Sequence, residues 1–322
     1  MSSHPAYHVR PNKYIDRTLF IEALRRLNFN FSQYRYVGFG SYSFDDFKAM
    51  HCKIGINNMV SLESDSAVVE RAKFNSPYDC IEIRYGTSSD YLYELADYDS
   101  NQIIWLDYTS PGELFQQFSE AIELVACAKP NDVLRFTFNA NPNTLATKDR
   151  MEDDKLYDVR LEKLREKLKE YCDPRVKAED LTQEGFPQAL RRSLRYSIEQ
   201  TIALPNQYDD RIIIPLFSTA YRDTHQMLTV TLLISTESEK QNVENKFHQW
   251  QISCLDWEAE ERISIPYLTE QEYLVTTRLI PNNENPEKKL REKFPCIYTK
   301  DQEAASFVKH YKSYPHFHNV EF

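Results

Sequence analysis

Glycine is scarce in this chain, with six residues in 322. Each one therefore marks a place where bare main chain is wanted, for a turn or for a close approach of another group. Paired cysteines are lacking too. The six cysteines, at positions 52, 80, 127, 172, 254 and 296, include no Cys-x-x-Cys, which argues against a zinc site and a disulfide framework and reads as reduced cytosolic thiols. No apolar run approaches the roughly 20 residues of a membrane helix, so the chain reads as soluble and cytoplasmic. Positive charge is in deficit. With 39 Lys and Arg against 49 Asp and Glu, the formal charge of -10 offers no overall footprint for phosphate backbones, and nucleic acid is not a favoured partner. Also missing are a nucleophile elbow, a phosphate-loop lysine motif and His-Glu-x-x-His, which leaves hydrolase and kinase readings unsupported.

What is present is an alternation. Five strand-like runs stand in the first half: YRYVGFG, NNMVSLE, CIEIRYG, QIIWLDY and DVLRFTFN. Four of them end at Gly38, Glu63, Gly86 and Asp107, each about one strand and one helix after the last. The intervening segments carry apolar residues at helical spacing, such as Leu114, Phe118, Ile122 and Val125. This order predicts an α/β fold with a mainly parallel, Rossmann-like sheet and a ligand crevice at the carboxyl ends of its strands. An amphipathic helix through Ile15, Leu19, Ala23 and Leu27 precedes the first strand, and DRIIIPLFSTAY and MLTVTLLIS predict a terminal antiparallel hairpin.

Between the fifth strand and that hairpin, roughly 148–208 reads as a helical insertion. Its charged part has only a sparse stripe of Leu156, Leu161, Leu164 and Leu168, which predicts a mobile lid or a docking element for a protein partner. The α/β domain is then expected over 1–236. Residues 237–322 follow as a mainly helical extension without further strands, in which Thr269 and Glu272 have capping-box spacing. Of two basic groups, Arg10, Lys13 and Arg17 read as a solvated helix face pairing with nearby acids, and Arg191, Arg192 and Arg195 as a partner surface or helix-flank pairing, rather than as anion sites. His316 and His318 near the terminus read as part of an aromatic tail, with no third ligand beside them for a metal.

Gly38, Gly40, Gly86 and Gly112 fall at or just after strand ends that would rim one crevice. A dinucleotide loop wants a third glycine, and Ser43 stands there instead, which counts against NAD or FAD. It counts less against S-adenosylmethionine, which has no phosphate. Glu63 at the second tip is the candidate acceptor for a ribose diol, with Asp65 the second choice. At the third tip a small turn carrying Ser88 and Asp90 could meet an adenine edge, but the favoured reading is that Ser88 or Ser89 caps the next helix. Asp107 and Tyr108 stand where an acceptor would meet the methyl group.

These residues resemble the motif order of class I S-adenosylmethionine-dependent methyltransferases: YVGFG the first motif, MVSLESD the second, YGTSSDYL the third and IIWLDYTSP the fourth. More narrowly, HVRPNKYIDR, YVGFGSYSFDDF, MVSLESD and PYLTEQE resemble bacterial proteins labelled "putative O-methyltransferases", some of them associated with antiviral defence islands. The resemblance implies S-adenosylmethionine as cofactor, with Gly38, Phe39, Gly40, Ser41, Glu63, Asp65, Gly86 and Ser88 around it. It also implies catalytic roles for Asp107 and Tyr108 toward an unidentified oxygen or nitrogen acceptor. Phe39 between the glycines and the absent third glycine depart from the wider family, and support an alternative: a methyltransferase-like subunit kept for binding or scaffolding.

Overall fold

A computed structural model describes residues 10–95, 98–148, 153–202, 210–281 and 283–315. The parallel strands are β1 (Arg35–Gly38), β2 (Met59–Glu63), β3 (Ile81–Tyr85), β4 (Gln102–Asp107) and β5 (Val133–Asn139). The long strands β6 (Arg211–Arg222) and β7 (Gln226–Thr236) form the expected hairpin, and β8 (Glu261–Ile263) is an edge that periodicity missed, because three residues hold no pattern. The sheet order is β3-β2-β1-β4-β5-β7-β6-β8, with β7 antiparallel to β5. The order reverses beside β1, the place where an open α/β sheet parts into a crevice.

Register fixes what stands at that crevice. Gly38, the last residue of β1, pairs with Ser61 on one side and Trp105 on the other. Both neighbours run two residues further, so Glu63 and Asp107 stand level with each other beyond the end of β1.

Residue contacts divide the chain into two compact units: Met1–Phe20, Tyr221–Thr224 and Arg262–Phe322 form one, and Ile21–Ala220 with His225–Glu261 the other. In the first unit, Asp223 accepts from the backbone N–H of Asn12 at 3.2 Å and of Lys13 at 2.9 Å, the first turn of α1 (Pro11–Leu27). Asn12 adds side-chain bonds to Arg222 O and to both backbone groups of Ile265. Lys13 and Arg17, expected on a solvated face, are buried together with Asp16. Thr269 and Glu272 do form the capping box, and they start a short helix (Glu270–Thr277). His316 and His318 lie outside the described residues.

The second unit carries the sheet's helices α2 (Asp45–Ala49), α3 (Ser66–Asn75), α4 (Ser88–Leu95), α5 (Leu114–Cys127), α6 (Asp153–Leu168) and α7 (Phe186–Ile202). The expectation for α6 needs correction. Its sparse leucines are not idle: Leu156, Leu164 and Leu168 are fully buried, the last two in the main core with Phe118, Leu190 and Leu194. Arg160 is buried among them, donating to Ala146 O, Leu181 O and Asn143 Oδ1 at 2.8–3.0 Å. A narrow stripe suffices because α6 fills a groove rather than lying on a surface. The arginines of α7 are paired, as expected. Arg191 donates to Ser218, Glu258 O and Ala259 O, Arg192 to Asp180, and Arg195 to Glu199 and Glu258.

Leu164→Ala is expected to cost about 2–5 kcal/mol of unfolding free energy, the range for a large-to-small change in a packed core. Chemical denaturation measures it. A loss below about 0.5 kcal/mol, normal for a surface site, would return α6 to the role of a mobile cover.

Candidate functional site

The first turn after β1 is built without its third glycine by straining two other residues. Ser41 (φ 51°) and Phe44 (φ 54°) both adopt left-handed backbone, which costs a non-glycine residue about 1–3 kcal/mol. Phe44 is wholly buried and its N–H closes the turn onto Gly40 O at 3.0 Å. Gly40 serves this turn. A Cβ on it would stand 2.7 Å from Phe44 Cδ1 and from Ser61 Oγ, inside the protein and not in a crevice.

The turn's N–H groups are spent inward. Gly40 N–H donates to Ser61 Oγ at 3.0 Å and Ser41 N–H to Glu63 Oε1 at 2.5 Å. In a dinucleotide loop such groups face a diphosphate. Here a carboxylate of the protein occupies their place, and this repels phosphate. Glu63 Oε2 has no hydrogen-bond partner among the described residues. Burial pushes the Glu63 carboxyl above its ordinary range, against the pull of the Ser41 and Ser61 hydrogen bonds.

Glu63 lines a cavity of about 470 Å³ with Phe39, Leu62, Gly86, Ser88, Asp107, Tyr108 and the first turns of α5. Of the residues expected around a cofactor, Gly38, Gly40, Ser41 and Asp65 are not in its wall. A Cβ on Gly38 would meet Tyr36 Oη at 2.9 Å and Trp105 O at 3.2 Å, and Ser41 reaches the site only through Glu63. Asp65 is an exposed helix cap, accepting from Ala67 N–H at 2.9 Å to start α3. Phe39 does line the wall, its ring edge-on to Tyr108 at 6.1 Å.

The third tip also differs from the capping expectation. Thr87 and Asp90 cap α4: Thr87 N–H donates to Asp90 Oδ2 at 2.9 Å and Asp90 N–H to Thr87 Oγ1 at 3.2 Å. That frees both serines for a residue sequence reasoning missed. Glu120, on α5 and 4% exposed, accepts from Ser88 (2.6 Å) and Tyr108 (2.5 Å) at Oε2, and from Ser89 (2.5 Å) and Gln116 (3.3 Å) at Oε1. One carboxylate thus ties the third tip, the fourth tip and α5 together. Burial, then the Glu120 charge, holds the Tyr108 phenol well above its ordinary range, so it stays protonated and donates. The missed signal was available: Gln117 and Glu120 flank Phe118 and Ala121 on the buried side of α5, where polar residues need partners. Gln117, 3% exposed, uses its Nε2 to hold Ser110 O at 2.6 Å, while its Oε1 receives no donor among the described residues.

A crevice at the switch point of a parallel sheet, with an acid at the second tip and no phosphate cradle, defines a class I methyltransferase-type domain. The chain belongs to the family described as "Putative O-methyltransferase", whose model matches residues 5–322. No curated protein matches it. Among solved structures it is similar to an O-methyltransferase described as putative from Klebsiella pneumoniae (10% identity, 72% of this chain and 84% of that one, TM-score 0.40). It is also similar to the Bacillus cereus O-methyltransferase in complex with SAH (14%, 71% and 84%, 0.37). A third is Trm1 of Pyrococcus horikoshii with S-adenosyl-L-methionine (12%, 87% and 75%, 0.48). Among the described residues no helix is long and apolar enough to cross a membrane, and no cluster of His, Cys, Asp and Glu is arranged to hold a metal.

Gly40→Ala tests whether this glycine serves the fold. The added methyl meets atoms at 2.7 Å, so the variant is expected to lose about 1–3 kcal/mol of stability by overpacking. Thermal unfolding without ligand reads this. An unchanged melting temperature would mean that the turn relaxes freely and the glycine is kept for a ligand.

Proposed function

We propose that this protein transfers the methyl group of S-adenosylmethionine to a nucleophilic acceptor, with Glu63 holding the ribose. The observation that carries the reading is the Glu63 carboxylate at the β2 tip. One oxygen is fastened by Ser41 N–H, the other is unengaged, and the acid stands level with Asp107 across the end of β1. A ribose diol donates to such an acid with charge-assisted bonds. Among the described residues the cavity wall holds Glu63, Asp107, Glu113 and Glu120 and no Lys, Arg or His, which suits a cationic sulfonium and opposes a diphosphate.

The sulfonium supplies an electrophilic methyl group when bound. What remains for the chain is positioning, exclusion of water and handling of one proton. Phe39 and Tyr108 form an apolar edge of the wall, and Glu120 holds Tyr108 and the third tip in place. Asp107, at the end of β4, is the residue we assign to orienting or deprotonating the acceptor. Gly86 and Ser88 form the wall at the third tip, where the adenine would lie.

Calorimetric titration with S-adenosylmethionine and S-adenosylhomocysteine tests the reading. Binding is expected, and Glu63→Gln should weaken it about tenfold, the loss of a charge-assisted hydrogen bond. Because burial raises the Glu63 pKa and only the ionised acid accepts both hydroxyls well, affinity should fall on acidification. The fall should begin above the usual carboxylate range and be absent in Glu63→Gln. No binding of either nucleoside to the folded protein would leave the non-catalytic subunit reading in its place.

A further inference from the structure

We propose that two copies of this chain pair antiparallel through the open edge of β3, continuing one sheet across a twofold axis at Ile83. The inference stands apart from the methyl-transfer reading. It follows from the main-chain groups that this edge presents and from the side chains between them.

β3 ends the sheet, and among the described residues it pairs only with β2. Met59 N–H donates to Cys80 O and Gly86 N–H to Glu63 O, both at 3.0 Å, so the even-numbered residues of β3 bond to β2. Bonding alternates along a strand, which turns the N–H and C=O of Ile81, Ile83 and Tyr85 outward. Ile81 N–H is spent on Tyr78 O at 3.3 Å. The others are a template for a further strand.

Charges on an edge strand ordinarily keep other chains away. Here they are of opposite sign, and they select a register. Outward groups must meet outward groups, so a twofold axis that overlaps most of the strand falls at Glu82, Ile83 or Arg84. An axis at Glu82 sets that acid against its own copy, and an axis at Arg84 sets arginine against arginine. An axis at Ile83 sets Glu82 opposite Arg84 of the second copy, twice. The two Ile83 residues then exchange both main-chain bonds, and each Tyr85 N–H meets the outward Ile81 carbonyl of the other copy.

Both faces of the strand agree with this register. Glu82 and Arg84 are on the α4 face, where the Arg84 guanidinium stands 5.2 Å from the Tyr91 ring centre. They already pair with each other at 2.6 and 3.0 Å, so the two copies would close a ring of alternating charges. On the α3 face, half-buried Ile83 and 69% exposed Tyr85 would meet Ile83 and Ile81 of the second copy. Aromatic and β-branched neighbours of this kind stabilise cross-strand pairs. α3 is thinly seated, with Val69 and Ala72 buried and Phe74 91% exposed. It packs over β2 and β3. With strands about 4.8 Å apart, its copy would run antiparallel about 10 Å away, where helices pack. Pairing would also brace the third tip, because Tyr85 is level with Glu63 and is followed by Gly86 of the cavity wall.

Sedimentation of the full chain tests the proposal. The wild type is expected to be a dimer with a dissociation constant below about 100 µM. Glu82→Arg and Arg84→Glu each set like charges opposite one another and should weaken self-association at least about tenfold. Mixed in equal amounts, they should associate with each other, since one edge is then wholly basic and the other wholly acidic. Ile83→Pro removes an outward N–H that β2 does not use, and should abolish the dimer with the circular dichroism of the fold intact. A wild type that is monomeric at about 100 µM overturns the proposal. So does a dimer indifferent to Glu82→Arg, or a failure of the two folded charge variants to associate. Should Arg84→Glu not fold for want of its place over Tyr91, Glu82→Arg at its exposed position decides alone: a tenfold loss supports the pairing and an unchanged dimer overturns it.

Discussion

A charge taken out of water must be compensated by donors, and in this molecule two buried or half-buried carboxylates draw those donors from the strand tips. Glu63 takes the backbone of Ser41 and leans on Ser61, while Glu120 takes three hydroxyls and an amide. Each acid therefore clamps elements that are distant in sequence. Glu63 joins the β1 turn to β2, and Glu120 joins the β3 and β4 tips to α5. The polarity of the crevice bears the mark of this arrangement: the hydroxyls of Ser88, Ser89 and Tyr108 are turned onto Glu120, and acids stand in the wall.

The clamps need a firm backing, and the insertion provides it. Tyr171, just past α6, packs on Phe115 and Phe118 of α5 at ring distances of 5.3 and 6.4 Å. Lys167 donates to Pro111 O at 2.9 Å, in the loop where Gln117 holds Ser110 O. That loop forms one side of the cavity, so the insertion steadies the site from behind. Here a helix that looks dispensable by composition is a buttress, because a few leucines at full burial outweigh many solvated charges.

The turn after β1 shows how a glycine-poor sequence still builds a tight loop. Strain at Ser41 and Phe44 replaces the freedom of further glycines, and the buried Phe44 ring, edge-on to Phe47 at 5.6 Å, holds the strained turn shut. Gly40 remains because its Cβ would have no room. The glycine count was thus a true signal of close approach, but the approaching group is the protein's own side chain.

By itself the sequence determined the alternation of strands and helices, the hairpin and the identity of the acids at the strand ends, because apolar periodicity and turn residues are local properties. Glu63, Asp107, Phe39, Gly86, Ser88 and Tyr108 were legible for that reason, and all of them reach one cavity. Only the tertiary structure decided which neighbouring residues turn inward. Asp65 became a cap and Glu63 the wall, Thr87 took the capping role and freed Ser88 and Ser89, and Glu120 became the hub. Those outcomes depend on which donors meet which acceptors across the fold, and a hydrogen bond between residues 32 positions apart, such as Ser88 to Glu120, leaves no period in the chain to read.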